Sequence, residues 1–271
     1  GLAKSDVTPT ELMTAIIQAE ADLLFFGGIG TYVKATTESH ADASDRANDA
    51  IRINGHELRV KVVGEGANLG MTQRGRIEAA KTGVRMNTDA IDNSAGVDCS
   101  DHEVNIKILL NGEMNSGKLT LKARNKLLVD MTDEVADLVL RDNYQQTQTI
   151  TQLQQRGSSI LEDQVRMMKV LERQGLLNRE IEYLPSDEEL QERAALGQGL
   201  FRPELSVFLP YGKMWLYDKI VASDLPDDPL VEEDLVTYFP TKLRKTYIEG
   251  IKRHKLRREI IATVITNSFV N

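Results

Sequence analysis

A single cysteine, Cys99, stands among 271 residues. No intramolecular disulfide can form, and this usage fits a reducing compartment. Positive charge is in deficit: 33 Lys and Arg face 41 Asp and Glu, a formal net charge of −8. A polyanionic duplex would be repelled at long range, so no nucleic-acid partner is expected. No apolar run approaches the roughly 18 residues of a membrane span, and the opening GLAKSDVTPTELM lacks a positive-then-apolar signal architecture. The expected setting is cytoplasmic, with no membrane partner. An initiating Met is also missing, and the helical pattern of 258–270 reaches Asn271 without a Gly or Pro stop. Both features read as a piece of a larger chain.

The length suits one large domain or two ordinary ones. Thr8-Pro9-Thr10-Glu11 is a capping box with proline at the first helical position, which predicts a helix over 9–19. The apolar run 22–26 ends at Gly27-Gly28 and predicts a buried strand with a glycine turn, continued by Gly30, Thr31 and Tyr32. The polar stretch 36–54 reads as a loop or short surface helix. A second strand is predicted over 58–63, a helix over 73–81 and a third strand over 83–87. From Asp101 onward the pattern is helical, with segments at 104–110 and 119–139 around a Gly/Asn/Ser break at 111–117. Ser159 with Glu162, and Ser186 with Glu189, have capping-box spacing and mark two further helix starts. Strands alternating with helices, then a long helical tail, predict an α/β fold: half of a Rossmann-type doubly wound parallel sheet over 1–112, then a largely α-helical domain over 113–271. The unpaired edge of such a half-sheet predicts dimerisation or aggregation unless a helix covers it.

Residues 62–100 carry most of the chemistry. Gly64-Glu65-Gly66-Ala67-Asn68-Leu69-Gly70 follows a strand and has the outline of a dinucleotide finger. Two features oppose that role: the Glu65 carboxylate would face a pyrophosphate, and no strongly apolar helix opens after Gly70. Asn68 is the better candidate, because a side-chain amide at a strand's carboxyl end both donates to and accepts from a carboxamide or ribose hydroxyl. A tight turn with Asn68 left-handed is the plain structural alternative. In the run from Asn93 to Ser100, Ser100 is placed to cap the following helix with Glu103 at the capping-box position, where free amides would also favour an anion. Asp98, Cys99, Asp101, His102 and Glu103 look metal-like, but sequence neighbours on a helix face different ways and no second ligand group follows at a suitable spacing. No metal is expected. His40, His56 and His254 read as isolated surface residues. The basic stretch 242–258 reads as an ordinary amphipathic helix with a solvated face, and the aromatics of 208–217 as core packing around a kink at Pro210.

At these residues the chain resembles the glutamate dehydrogenases, and more closely their large bacterial NAD-dependent class. Glu65-Gly66-Ala67-Asn68 is similar to the family's E-G-A-N segment, and Thr72 to the second threonine of the P-T-T that follows it. Residues 93–100 resemble N-A-G-G-V-x-x-S, with Ser94-Ala95 in place of Ala-Gly, and the run DLLFFGGIGTYVK over 22–34 resembles the large class. The motif match spans about 22–111. The resemblance implies reversible oxidative deamination of L-glutamate to 2-oxoglutarate and ammonium with NAD as cofactor. It implies that Asn68 and Asn93 line the nicotinamide and its ribose, that Gly28, Gly30 and Thr31 lie beside the cofactor, and that Ser100 holds the distal carboxylate of the small-molecule substrate. A homo-oligomer is expected. The family's acid–base lysine and aspartate belong to a separate substrate domain. No segment here matches that domain or the pyrophosphate finger, so no catalytic residue is expected in this chain, nor turnover by it alone. Two alternatives remain: another NAD(P)-dependent amino-acid dehydrogenase, against which Ser100 argues, and a non-catalytic helical interaction module.

Overall fold

The computed structural model describes residues 6–271. It divides into two compact units, each built from two stretches of chain: 1–94 with 150–211, and 95–149 with 212–271.

The first unit opens with α1 (Pro9–Ile17). Its capping box forms as the sequence predicts: the Thr8 hydroxyl accepts from the Glu11 amide, and the Glu11 carboxylate accepts from the Thr8 amide at 2.8 Å. β1 (Ala21–Phe26) pairs in parallel with β4 (Val60–Glu65), in register from Ala21 opposite Val60 to Phe26 opposite Glu65. The polar stretch between them holds a second small parallel pair, β2 (Val33–Lys34) with β3 (Ile53–Asn54), and a short 3-10 turn at Arg46–Asn48. α2 (Gln73–Lys81) follows, capped by the Thr72 hydroxyl.

Two expectations are revised here. The third strand over 83–87 reduces to a single parallel bridge between Val62 and Arg85. The Val84 amide is spent on the Ala79 carbonyl at the end of α2, which leaves only Arg85 to bond both ways, to Lys61 and Val63. β1 is not a buried strand: Leu23 and Phe25 are exposed, because β1 has one strand neighbour and only its other face, with Phe26, meets the core. That core gathers Val33, Ile53, Leu58, Val63, Met71 and Met86. The architecture is α/β, with a small parallel sheet in a largely helical chain.

The unit's second stretch holds α7 (Leu161–Arg173), α8 (Asp187–Ala195), and parts of α6 (Thr132–Arg156) and α9 (Arg202–Val221). Ser186 and Glu189 form the expected capping box. Ser159 does not cap: it sits in a 3-10 turn, donates to the Arg156 carbonyl at 2.7 Å, and α7 starts at Leu161 without a side-chain cap. Long-range bonds tie this stretch to the sheet segment: Arg202 Nε to Asn87 Oδ1 at 2.7 Å, and Gln73 Nε2 to the Pro203 carbonyl at 3.1 Å. Arg193 grips the buried Glu204 through two bonds of 2.6 and 2.8 Å.

The second unit is helical. α4 (Ser94–Asn115) runs through most of the predicted break at 111–117, and α5 (Leu121–Asp130) is separated from α6 at Met131, where one helix over 119–139 is expected. Pro210 lies within α9. After α10 (Glu232–Tyr238), the basic stretch forms two short helices, α11 (Thr241–Thr246) and α12 (Ile248–Lys252), before α13 (Arg257–Val270). It is not one amphipathic helix: the chain leaves helical geometry at Tyr247 and again at residues 253–256, while Leu243 and Ile251 both reach the core around Phe239, Leu110 and Ile261. His254 is buried there rather than on the surface, with Nε2 3.0 Å from the Asn105 carbonyl. Among the described residues, no helix is long and apolar enough to cross a membrane.

Candidate functional site

The turn after β4 is held from below by a buried ion pair. Glu65 closes the strand with its side chain inside, where Arg76 of α2 reaches it through two bonds of 2.6 and 2.8 Å. Burial pushes the Glu65 carboxyl up, as do the nearby charges of Asp89 and Asp92, while Arg76 opposes them. Glu65 is therefore scaffold, and its inward direction removes it from any ligand approaching the turn. Arg76 also meets Asp89 at 3.1 Å.

A four-residue helix, α3 (Asp89–Asp92), lies against this turn. Its two aspartates grip the turn's backbone on either side of Asn68: Asp92 accepts from the Glu65 amide at 2.9 Å, and Asp89 from the Leu69 amide at 2.8 Å. Asp92 also accepts from Asn87 at 2.6 Å. The left-handed residue of the turn is Leu69, at φ 61°, and not Asn68. Leu69 is fixed there because its carbonyl accepts from the Thr31 hydroxyl at 2.8 Å while Asp89 holds its amide. A Cβ at Gly66 would run into the tip of the Phe25 ring, and that exposed side chain would have to swing aside.

With the turn and α3 so joined, Asn93, the residue closing α3, donates from Nδ2 to Asn68 Oδ1. The two asparagines singled out in the sequence, 25 positions apart, are thus one hydrogen-bonded pair at the carboxyl end of β4. Asn68 Nδ2 and Asn93 Oδ1 have no hydrogen bond within the described residues, so the pair presents one donor and one acceptor outward. The loop after β1 runs alongside: Ala67 donates to the Phe26 carbonyl and Tyr32 to the Gly70 carbonyl. Gly28 is exposed with open space about it. Gly30, at φ 132°, has Asn48 and Tyr32 so close that a Cβ would meet them at 2.7 Å. Thr31 is buried, its amide on Asp45 and its hydroxyl on Leu69, so it shapes the turn beside Asn68.

Ser100 belongs to the second unit. It is not a helix cap: α4 begins at Ser94, and the exposed Ser100 hydroxyl donates one turn back to the Gly96 carbonyl at 3.0 Å. The free amides of the helix start therefore belong to its first turn, residues 94–97, and not to the positions after Ser100. Sequence reasoning missed Arg76, Asp89 and Asp92, which fix the asparagine pair, and Arg202, which holds Asn87. Burial lowers Arg202 to about 10, with Arg85 reinforcing the effect.

Residues 1–153 match the family model described as bacterial NAD-glutamate dehydrogenase, catalytic domain, and residues 197–271 match that of glutamate dehydrogenase, C-terminal. Three curated relatives are each named NAD-specific glutamate dehydrogenase. That of Pseudomonas aeruginosa is 52% identical over 98% of this chain, that of Halomonas elongata 49% over 100%, and that of Mycobacterium tuberculosis 46% over 98%. The chain spans 16–17% of the length of these relatives. With its first 153 residues covered by the catalytic-domain model, the chain belongs to the bacterial NAD-glutamate dehydrogenase family.

Proposed function

We propose that this chain forms part of an enzyme that oxidatively deaminates L-glutamate to 2-oxoglutarate and ammonium, reversibly and with NAD. The observation that carries the reading is the Asn68–Asn93 pair at the end of a parallel strand. Its outward donor and acceptor complement a primary carboxamide, which itself offers one N–H face and one carbonyl oxygen. Ligands of parallel α/β sheets gather outside the carboxyl ends of the strands, which is where this pair lies. NAD supplies the hydride acceptor when bound. This chain's residues orient it: Asn68 and Asn93 hold the carboxamide and ribose edge, Gly28 leaves room for close backbone approach, Gly30 turns the loop beside the cofactor, and Thr31 fixes the turn. Ser100, through its motif position, takes the distal carboxylate of glutamate, its exposed hydroxyl hydrogen turning from Gly96 to the ligand.

In this reading residues 1–112 are the carboxyl-terminal half of a Rossmann-type NAD-binding domain and 113–271 a helical domain. Proton transfer falls to residues outside this chain, the chain alone does not turn over, and the whole enzyme is a cytoplasmic homo-oligomer.

The test uses the full-length enzyme and NADH formation from glutamate. Asn68→Ala should raise KM for NAD with kcat/KM falling at least about tenfold, the equivalent of about 1.4 kcal/mol. Ser100→Ala should act on KM for glutamate and leave that for NAD in place. Unchanged NAD kinetics in Asn68→Ala would remove the pair from the cofactor site. Absence of glutamate-dependent NADH formation in the native enzyme would favour the interaction-module reading.

A further inference from the structure

Within the second unit, α4 and α6 bring together a group that the sequence did not join. Asp98 and His102 stand one helical turn apart on α4, with His102 Nε2 3.9 Å from Asp98 Oδ1. Asp142 of α6 completes the group, and one ligand atom from each of the three lies within 4.8 Å of the others. The His102 ring is buried, 3% exposed, and stacks on Tyr238 with centroids 4.5 Å apart. Tyr238 is in turn fixed: its hydroxyl donates to Asp101 at 3.0 Å and accepts from Asn105 at 2.9 Å. The imidazole is therefore aimed by its surroundings, yet neither His102 Nδ1 nor Asp98 Oδ2, both fully buried, has a hydrogen-bond partner among the described residues. Leaving such atoms unsatisfied costs about 1–3 kcal/mol each, more for a charged group.

We propose that Asp98, His102 and Asp142 form a binding site for a first-row divalent transition-metal ion of the zinc–manganese type. The donor set decides the class. One imidazole with two carboxylates suits a borderline cation, whereas a magnesium or calcium site would be all oxygen. Three protein ligands leave a coordination position for water, as in open zinc sites. The buried imidazole offers a ring nitrogen to the group, and an imidazole ligates in its neutral form. Metal–ligand bonds of about 2.0–2.2 Å require the ligand atoms to close in by roughly an ångström.

The neighbouring charge sets the sign of one test. Asp98 and Asp142 both act on Lys213, whose ammonium is lowered to about 8 by burial and rests 3.3 Å from Gln146 Oε1. Its positive charge, like that of Arg141 paired with Asp142 at 3.4 Å, opposes a second cation between the carboxylates.

The full-length protein, stripped with a chelator, is dialysed against Co2+ and Zn2+, with Mg2+ as control. Native protein should bind one Co2+ more per chain than Asp142→Asn or Asp98→Asn, with affinity at this site lowered at least about tenfold in either variant. The difference spectrum should carry the visible bands of protein-ligated Co2+. Lys213→Met should bind the ion more tightly than native protein. Equal Co2+ stoichiometry and spectra in native, Asp142→Asn and Asp98→Asn proteins would overturn the site. Should both aspartate variants lose their far-ultraviolet circular dichroism, an unchanged Co2+ affinity in Lys213→Met would overturn it instead.

Discussion

Leu69 is a residue in the wrong conformation for its type. A branched side chain at φ 61° costs about 1–2 kcal/mol relative to ordinary backbone, and its side chain is mostly solvent-exposed, so it recovers little by burial. The cost is tolerated because Asp89 and Thr31 hold the peptide from both ends. Leu69→Gly should therefore raise stability by up to about 1 kcal/mol in urea unfolding, offset in part by the greater freedom of glycine in the unfolded chain. A loss above that figure would show that the side chain is needed. At this scale the sequence was partly legible. Asn68 stood out because an amide after a strand can serve a cofactor as well as a turn, and Asn93 through the resemblance of residues 93–100 to the family's motif. Asp89, Asp92 and Arg76 did not stand out, since a carboxylate in a helix looks the same whether it meets water or a backbone amide 20 or 27 positions away. Asp142 was invisible for the same reason: only the packing of α6 brings it near Asp98.

Elements read well where their signals were local. Ser186 and Glu189 are three positions apart, and that spacing alone forms the box that opens α8. Ser186→Ala should cost about 1 kcal/mol in the same unfolding assay, while Ser159→Ala, at a serine with the same spacing but no capping bond, should cost markedly less. The two residues separate what spacing proposes from what the preceding turn permits. A second element-level device joins the loop after β2 to α2. Partial burial raises the Glu78 carboxyl, but bonds from the Thr36 amide at 2.7 Å and from the His56 ring and amide at 2.9 and 3.0 Å outweigh it and bring it to about 2. Because the folded value lies below the ordinary 4.5, this latch contributes fully above pH 4.5 and is lost as pH falls toward 2. Hydrogen exchange of the Thr36 and His56 amides, corrected for intrinsic rates, should lose protection across that window. In Glu78→Gln protection should be low at every pH. A native profile flat from pH 5 to pH 2.5 would show that other contacts hold the loop.

Across the whole molecule, each unit has its own apolar centre, and the second gathers on Phe239, fully buried among Leu110, Leu243, Ile251 and Ile261. Phe239→Ala should destabilise that unit by about 3–5 kcal/mol, read as faster hydrogen exchange through residues 95–149 and 212–271. Protection unchanged in those residues would mean that the site collapses around the missing ring. The two-unit arrangement was the least legible feature. Composition changes little along the chain, and nothing in residues 150–211 announces that they pack with the strands instead of with the helices that precede and follow them.

That interleaving governs how the protein can be made. Chain order alternates between the units, so neither is present on the ribosome as one finished stretch. The strands and the Asn68–Asn93 turn emerge early, yet the residues that brace them, Arg202 and Pro203 among them, emerge more than a hundred positions later. At about 5–20 residues per second, Asn87 and Gln73 beside the nascent parallel pair wait on the order of ten seconds for Arg202 and Pro203. Slowing translation between the codons for residues 94 and 150 lengthens that wait and should favour aggregation of the unbraced segment during synthesis, whereas refolding of a finished chain carries no such interval.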